Sequence, residues 1–342
     1  SFDKKMGGSA AHLPGGIGWY RKQFKLPRSY NGKVISILFD AICHQSDVYI
    51  NGHHLGFRPY GFCSIEYDLT PYLDYDGENV IAVRVNRSGV KDVARWYTGS
   101  GIYRHAWLQV TNPVHIATYG TYVTTPSVSE DKAEIRIMTT LENELKKVQT
   151  VSISHLILDN QGKIVAKSGT EKTLFEAGQS IKITQNLTLN YPRLWTLEKP
   201  ELYTLETTVK ANGKVTDLYK TPFGIRTIAF DSETGFLLNG KQVKLKGMCL
   251  HQDAGSLGTA VLDRSYERRL EIIKEYGCNA IRCSHNQPSP EFLDMCDRMG
   301  FVVIDEAFDK WKSGYYEKYF DEWWQRDLEN MILRDRNHPS VF

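Results

Sequence analysis

Apolar and polar residues alternate with a period of two through most of the first two-thirds of the chain. Between Trp19 and about Val110 the runs WYRKQFKL, KVISILFD, SDVYIN, NVIAVRV and HAWLQV are short, rich in β-branched and aromatic residues, and separated by turn residues such as Asn51-Gly52 and Asp76-Gly77. They predict an all-β sandwich. A second set, AEIRIMTTLEN, VQTVSISHLILD, SIKITQNLTL and LYTLETTVKA, runs from roughly Val114 to Phe223 and predicts another. Its strand spacing fits an immunoglobulin-like sandwich without the disulfide, because the stretch between Cys63 and Cys249 holds no cysteine.

After Gly224 the rhythm changes to strand, helix, strand. VKLKGMCL predicts a strand, and RSYERRLEIIKEY a helix with Asp263 as its N-cap and Gly277 at its stop. NAIRCS is the next strand. Ser289 then reads as an N-cap with Pro290 at the first helical position, Phe292, Leu293, Cys296 and Met299 form an apolar face, and Gly300 stops the helix. FVVID lacks polar alternation, as a strand covered on both faces requires. FDEWWQRDLENMILRD predicts a third helix ended by Pro339, and Val341-Phe342 looks like the opening of a fourth strand. Three strand-helix units in succession imply a parallel sheet with right-handed crossovers. Residues 226–342 are less than half of the about 250 that a closed eight-stranded α/β barrel takes. The expected architecture is thus an all-β sandwich over 1–112, an immunoglobulin-like sandwich over 113–225 and the first part of a TIM barrel over 226–342.

Composition changes this picture little. The aromatic share of 12% exceeds what cores need, although Tyr and Trp serve sandwich interiors as well as sugar faces. A net charge of +2 with interspersed signs argues against a nucleic-acid partner. No apolar run approaches bilayer length, and the start SFDKKMGGSAAHLPGG has no apolar leader; a removed signal peptide would leave no trace, so cytoplasmic and exported locations both stay open. The six cysteines lack CxxC spacing and read as buried free thiols, with a Cys43–Cys63 disulfide as the alternative. The triplets at Asn86 and Asn186 match the N-glycosylation pattern but carry no weight.

Candidate chemistry collects where the predicted parallel strands end: His251 and Asp253, then Arg282, Ser284 and His285, then Asp305 and Glu306. Arg282 sits within an apolar run and needs a carboxylate, either as a plain ion pair with Asp305 or Glu306 or as a clamp on a catalytic group. Asp305 and Glu306 are adjacent, so strand alternation sends them in different directions, and they are poorly placed as an acid–nucleophile pair. The loop RWYTGSGIYRHAW, with Arg95, Trp96, Tyr97, Tyr103 and Arg104, either stacks on sugars or bridges to a neighbouring domain.

Read as a whole, DVYINGHHLG, YDLTPYL, ENVIAVRV and TGSGIYR, followed by LLNGKQVKLKGMCLHQD, GCNAIRCSHNQPSPEFLDMCDRMGFVVIDEAFD and RDRNHPSV, resemble glycoside hydrolase family 2, which holds β-galactosidases, β-glucuronidases and β-mannosidases. The resemblance implies that the sandwich over 1–112 is a jelly-roll sugar-binding-like domain ahead of the immunoglobulin-like sandwich and the TIM barrel, and that the protein is a retaining exo-β-glycosidase acting by two glutamates. One ends the fourth barrel strand and one the seventh, so both fall after residue 342 and no catalytic residue of the pair is expected within this chain. It makes His251 and His285 substrate-pocket histidines, Arg282 the residue that orients the nucleophile, and Asp305 and Glu306, of the family's DEA segment, pocket support. The substrate is a β-linked saccharide or glycoconjugate, galactoside first because DEAFDKW resembles β-galactosidase-like members. No cofactor is expected: where magnesium-dependent members carry further ligands, this chain has Phe308, Asp309, Lys310, Trp311 and Lys312, a poor hard-cation set. A homo-oligomer is left open, and a non-catalytic carbohydrate-binding or scaffold protein is the class-different alternative.

Overall fold

The computed structural model describes residues 3–7, 12–88, 96–169 and 171–342. The alternation in NVIAVRVN becomes a strand, Asn79–Asn86, whose odd-numbered residues are buried while the even ones lie half exposed. It pairs antiparallel with Ile17–Phe24 on one side and Ser46–Ile50 on the other, and His53–Arg58 completes the sheet. Asn51 and Gly52 both take positive φ (49° and 86°), the turn that two-residue hairpins need. A second sheet, Ile65–Asp68, Val34–Phe39 and Ala106–Thr111, closes the first sandwich over Ile35, Phe39, Val48, Ile50, Leu69 and Val83. The hydrophobic pattern had revealed only five of these strands; His53–Arg58 and Ile65–Asp68 are interrupted by charge and glycine.

The second sandwich pairs Val114–Val128, Lys132–Asn143 and Ser180–Asn190 in one sheet. The other has Ile164–Lys167, Gln149–Leu158, Tyr203–Ala211 and Lys214–Phe223, with Glu171–Phe175 alongside. Neither Cys43 nor Cys63 of the first sandwich is in a disulfide, which removes that alternative. The expectation of six buried thiols also needs correcting: Cys249 is exposed and Cys278 half-buried.

A hairpin-like sheet, Ile228–Asp231, Gly235–Leu238 and Lys241–Gln242, leads into the third unit. Three parallel strands follow, Gly247–Leu250, Ala280–Cys283 and Val302–Ile304. The first is shorter than expected, because Val243–Lys246 stay outside the ladder. Helix α1 is Asp263–Glu275, α2 is Pro290–Met299 and α3 is Glu317–Asp335. Leu262, in extended backbone, takes the N-cap place of α1 and Asp263 becomes its first helical residue, where its charge faces the positive helix end. For α2 the expectation holds: Ser289 Oγ accepts from Phe292 N, and Gly300 ends the helix in the left-handed conformation. Helix α3 stops at Asp335, before Pro339 acts. Val341 bridges to Val303 in parallel, where a fourth strand belongs.

Helices α1 and α2 cover one face of the parallel sheet through Leu270, Ile273, Phe292, Leu293 and Cys296 against Ile281, Cys283 and Val303. At the strands' beginnings the opposite face is plugged by Trp195 and Leu197 of the second sandwich and Phe236 and Leu238 of the hairpin, on Ala280 and Val302. The first sandwich packs on the other end: Tyr60, Phe62, Cys63 and Tyr103 share a core with Phe308, Tyr316 and Phe320.

Candidate active site

Strand register sets the site. Cys249, Arg282 and Ile304 lie side by side, and alternation turns them away from the helix-facing Ile281, Cys283 and Val303. Arg282 therefore emerges on the open face, above the plugged base. Its Nε–H donates to Glu306 Oε1, and its Nη1 lies 3.8 Å from Cys249 Sγ. Glu306 Oε2 is 3.0 Å from His285 Nδ1. Since the carboxylate can only accept, His285 carries its proton on Nδ1, and the 3.2 Å approach of Arg282 Nη2 to that nitrogen is a contact between two donors. Both oxygens of Glu306 are thereby engaged. The Ser284–His285 peptide is cis.

His251 is fixed from two directions. Its Nδ1 lies 2.7 Å from the Ser284 carbonyl, which makes Nδ1–H the donor and leaves Nε2 as the acceptor. Trp96 of the first sandwich stacks on its ring, with centroids 4.3 Å apart and planes at 15°. The same indole meets His285 edge-on at 5.6 Å, and the two imidazoles are 5.7 Å apart. His251, Arg282, His285 and Glu306 thus converge. The backbone carbonyl of Asp253 accepts from Arg269.

Asp305 leaves the cluster, as adjacency on a strand end requires. It is buried, and burial followed by the neighbouring Asp335 carboxylate pushes its own carboxyl well above the usual range. Burial also works against the charge of Asp335, but Arg334, at 2.6 and 2.8 Å, outweighs it and keeps that carboxyl low. Gln287 Nε2 donates to Asp335 at 3.1 Å, linking this pair to the segment after His285.

The loop from the first sandwich bridges domains. Arg104 donates to the carbonyls of Gln287 (2.8 Å) and Pro288 (3.1 Å), and Gln252 Nε2 donates to Thr98 O at 3.3 Å. Arg95 lies outside the described residues. Tyr60, whose hydroxyl meets Asn286 Oδ1 at 2.7 Å and the Ala307 carbonyl, was not singled out by sequence; nothing in RPYGF distinguishes it from a core tyrosine. A groove of about 760 Å³ between the second sandwich and the hairpin, lined by Leu194, Lys199, Leu238 and Lys241, lies away from this polar convergence.

For metals, Asp309 faces Lys310 Nζ at 3.4 Å, an ion pair rather than a cation cage. Asp294, Asp297 and His338 have ligand atoms within 4.8 Å of one another. There, however, Asp297 accepts from His338 Nδ1 at 2.6 Å and from Ser340 N at 3.0 Å, which makes a closed hydrogen-bonded knot.

Three models of one family follow one another along the chain: residues 10–113 match "glycosyl hydrolases family 2, sugar binding domain", 114–226 "glycosyl hydrolases family 2", and 231–342 "glycosyl hydrolases family 2, TIM barrel domain". The chain belongs to glycosyl hydrolase family 2. A family 2 relative, the beta-galactosidase BoGH2A of Bacteroides ovatus, is 51% identical over all of this chain and 40% of its own length. A putative beta-glucuronidase of Formosa agariphila is 41% identical over 99% of this chain and 32% of its own. A crystal structure of a family 2 member from Bacteroides cellulosilyticus superposes with a TM-score of 0.94 at 43% identity, over 98% of this chain and 43% of that one. The chain therefore spans less than half of the length of these family 2 relatives. Its architecture is the family's: two sandwiches followed by the opening strands of an unclosed TIM barrel. Among the described residues no helix is long and apolar enough to cross a membrane.

Proposed function

We propose that the chain carries part of the pocket of a retaining exo-β-glycosidase that removes terminal β-galactosyl groups by a two-glutamate double displacement, with units over 1–112, 113–225 and 226–342. The observation that carries this reading is the Arg282–Glu306–His285 clamp on the open face of the barrel strands, beside His251. Retention needs two carboxyl groups about 5–5.5 Å apart across the bond. Glu306 has both oxygens engaged and Asp305 is buried against Asp335, so neither suits attack on a sugar. In this reading both glutamates follow residue 342. Arg282 keeps guanidinium N–H groups free to orient the nucleophile, Asp305 and Glu306 brace the floor, and His251 and His285 bind sugar hydroxyls. A galactoside is favoured by the 51% identity to the Bacteroides ovatus enzyme; a β-glucuronide stands next, since several relatives bear that name. A β-mannoside has no such support.

An enzyme extended through the whole barrel should turn over an aryl β-galactoside, and this chain alone should not. Arg282→Ala in the extended enzyme should lower kcat/KM by about 10²-fold. In the 342-residue chain it should shift stability by no more than about 1 kcal/mol, because there the guanidinium is substantially exposed. Turnover of none of the β-galactoside, β-glucuronide and β-mannoside panel would overturn the glycosidase reading. Robust turnover by the short chain would instead overturn the placement of the glutamates.

A further inference from the structure

Among the described residues, Trp96 is the one aromatic ring of the first sandwich that the structure brings onto both pocket histidines. It is only 8% exposed, and its indole plane lies almost parallel to the imidazole of His251. The loop that carries it is fastened to the loop after the first barrel strand. Thr98 O accepts from Gln252, Tyr97 lies against Gly258, and Gly99, at φ 72°, leaves no room for a side chain beside Thr259. Loop and strand end are therefore held as one piece.

We infer that Trp96 is a positioning residue of the barrel pocket: it clamps the His251 ring so that Nδ1–H stays committed to the Ser284 carbonyl and the Nε2 lone pair is offered to a sugar hydroxyl. The inference rests on the glycosidase reading for the identity of the ligand, but not for the geometry. A strand-terminal imidazole with one hydrogen bond can flip about its Cβ–Cγ bond, exchanging nitrogen for carbon, or tilt out of plane. The Ser284 carbonyl selects one flip state, and the stacked indole blocks the tilt. His285 meets the same indole only edge-on at 5.6 Å, so the stacking restraint falls on His251 alone. The first sandwich thereby takes part in sugar recognition through the His251 ring that Trp96 holds.

The test compares Trp96→Phe, which keeps a ring, with Trp96→Leu, which keeps apolar bulk without one; Trp96→Met replaces the latter if it does not fold. In the extended enzyme the Leu variant should lose roughly three- to ten-fold in kcat/KM for an aryl β-galactoside, mostly through KM, and the Phe variant should recover most of it. In a His251→Gln background that difference should vanish, because Trp96 acts through His251. In the 342-residue chain itself, long-range proton–nitrogen NMR should find His251 as a single Nδ1–H tautomer in the wild type and a mixture in the Leu variant. Equal kinetics for Leu and Phe, a difference that persists without His251, or a single tautomer in the Leu variant would each overturn the inference. If the unaltered extended enzyme hydrolyses no β-glycoside, the glycosidase reading falls and the tautomer result alone decides the positioning role.

Discussion

Cys249 shows how one residue's chemistry follows from its row in the sheet. It stands on the open face beside Arg282, and hydrogen bonds from Ser284 and then Arg282 lower its thiol below the ordinary range. Burial pushes Cys43 and Cys63 up to about 12 and Cys283 and Cys296 upward as well. Thiolate is the nucleophile, so a lowered pKa moves reactivity to lower pH. Limited alkylation of the 342-residue chain near pH 7 should label Cys249 first and leave those four untouched until unfolding, as peptide mass spectrometry would record; equal labelling of Cys249 and Cys283 would contradict the assigned faces. Sequence reading had all six thiols buried, because an apolar run tells nothing of which strand face is covered. It did read correctly that Arg282 needed a carboxylate and that Asp305 and Glu306 diverge, since charge burial and strand alternation are local rules.

Among the elements, α2 is the most completely written in sequence: cap, proline, apolar face and terminal glycine all stand where SPEFLDMCDRMG places them. Gly300 nevertheless has a second duty. A Cβ there would strike the Leu197 carbonyl of the second sandwich, whereas Gly277, after α1, has open space around it. Both have positive φ (70° and 76°), so an alanine at either costs about 1–2 kcal/mol in backbone strain. Gly300→Ala should therefore destabilise by clearly more than Gly277→Ala in urea unfolding, and equal losses would mean that the Leu197 approach is not tight. Asp263 is a good N-cap residue by type, yet α1 starts with it one position inside the helix. Its position relative to Leu262 depends on where the preceding loop delivers the chain.

At the scale of the molecule, the first sandwich is bolted to α3 by a buried ion pair, Arg58 Nη2 to Asp327 Oδ1 at 2.5 Å, with side chains 4% and 0% exposed. Burial raises the carboxyl of Asp327 and Arg58 opposes that rise, while Tyr316 donates to its second oxygen. Removing one partner strands the other charge. Arg58→Leu should cost about 3–5 kcal/mol, and Arg58→Met with Asp327→Leu should recover much of it. Calorimetric or urea midpoints of the single and double variants check this, and an unshifted midpoint for Arg58→Leu would refute it. Such a pair also makes independent unfolding of the first sandwich unfavourable, because separation exposes the Tyr60, Phe62, Phe308 and Phe320 core with it.

Period-two and period-three-to-four patterning, caps and turn glycines decided the elements, and strand-helix succession decided the parallel sheet, because these depend on neighbours a few residues apart. The same succession put His251, Arg282, His285 and Glu306 at strand ends, since any parallel sheet gathers such residues. Tertiary structure alone decided which carboxylate Arg282 takes, that Asp305 is withdrawn to Asp335, and that Trp96 and Tyr60 reach into the third unit from the first. The contacts of Trp96 and Tyr60 join residues well over a hundred positions apart and depend on how the first sandwich docks on the third unit, while those of Arg282 and Asp305 depend on how the strand ends and α3 pack, choices that no local pattern encodes.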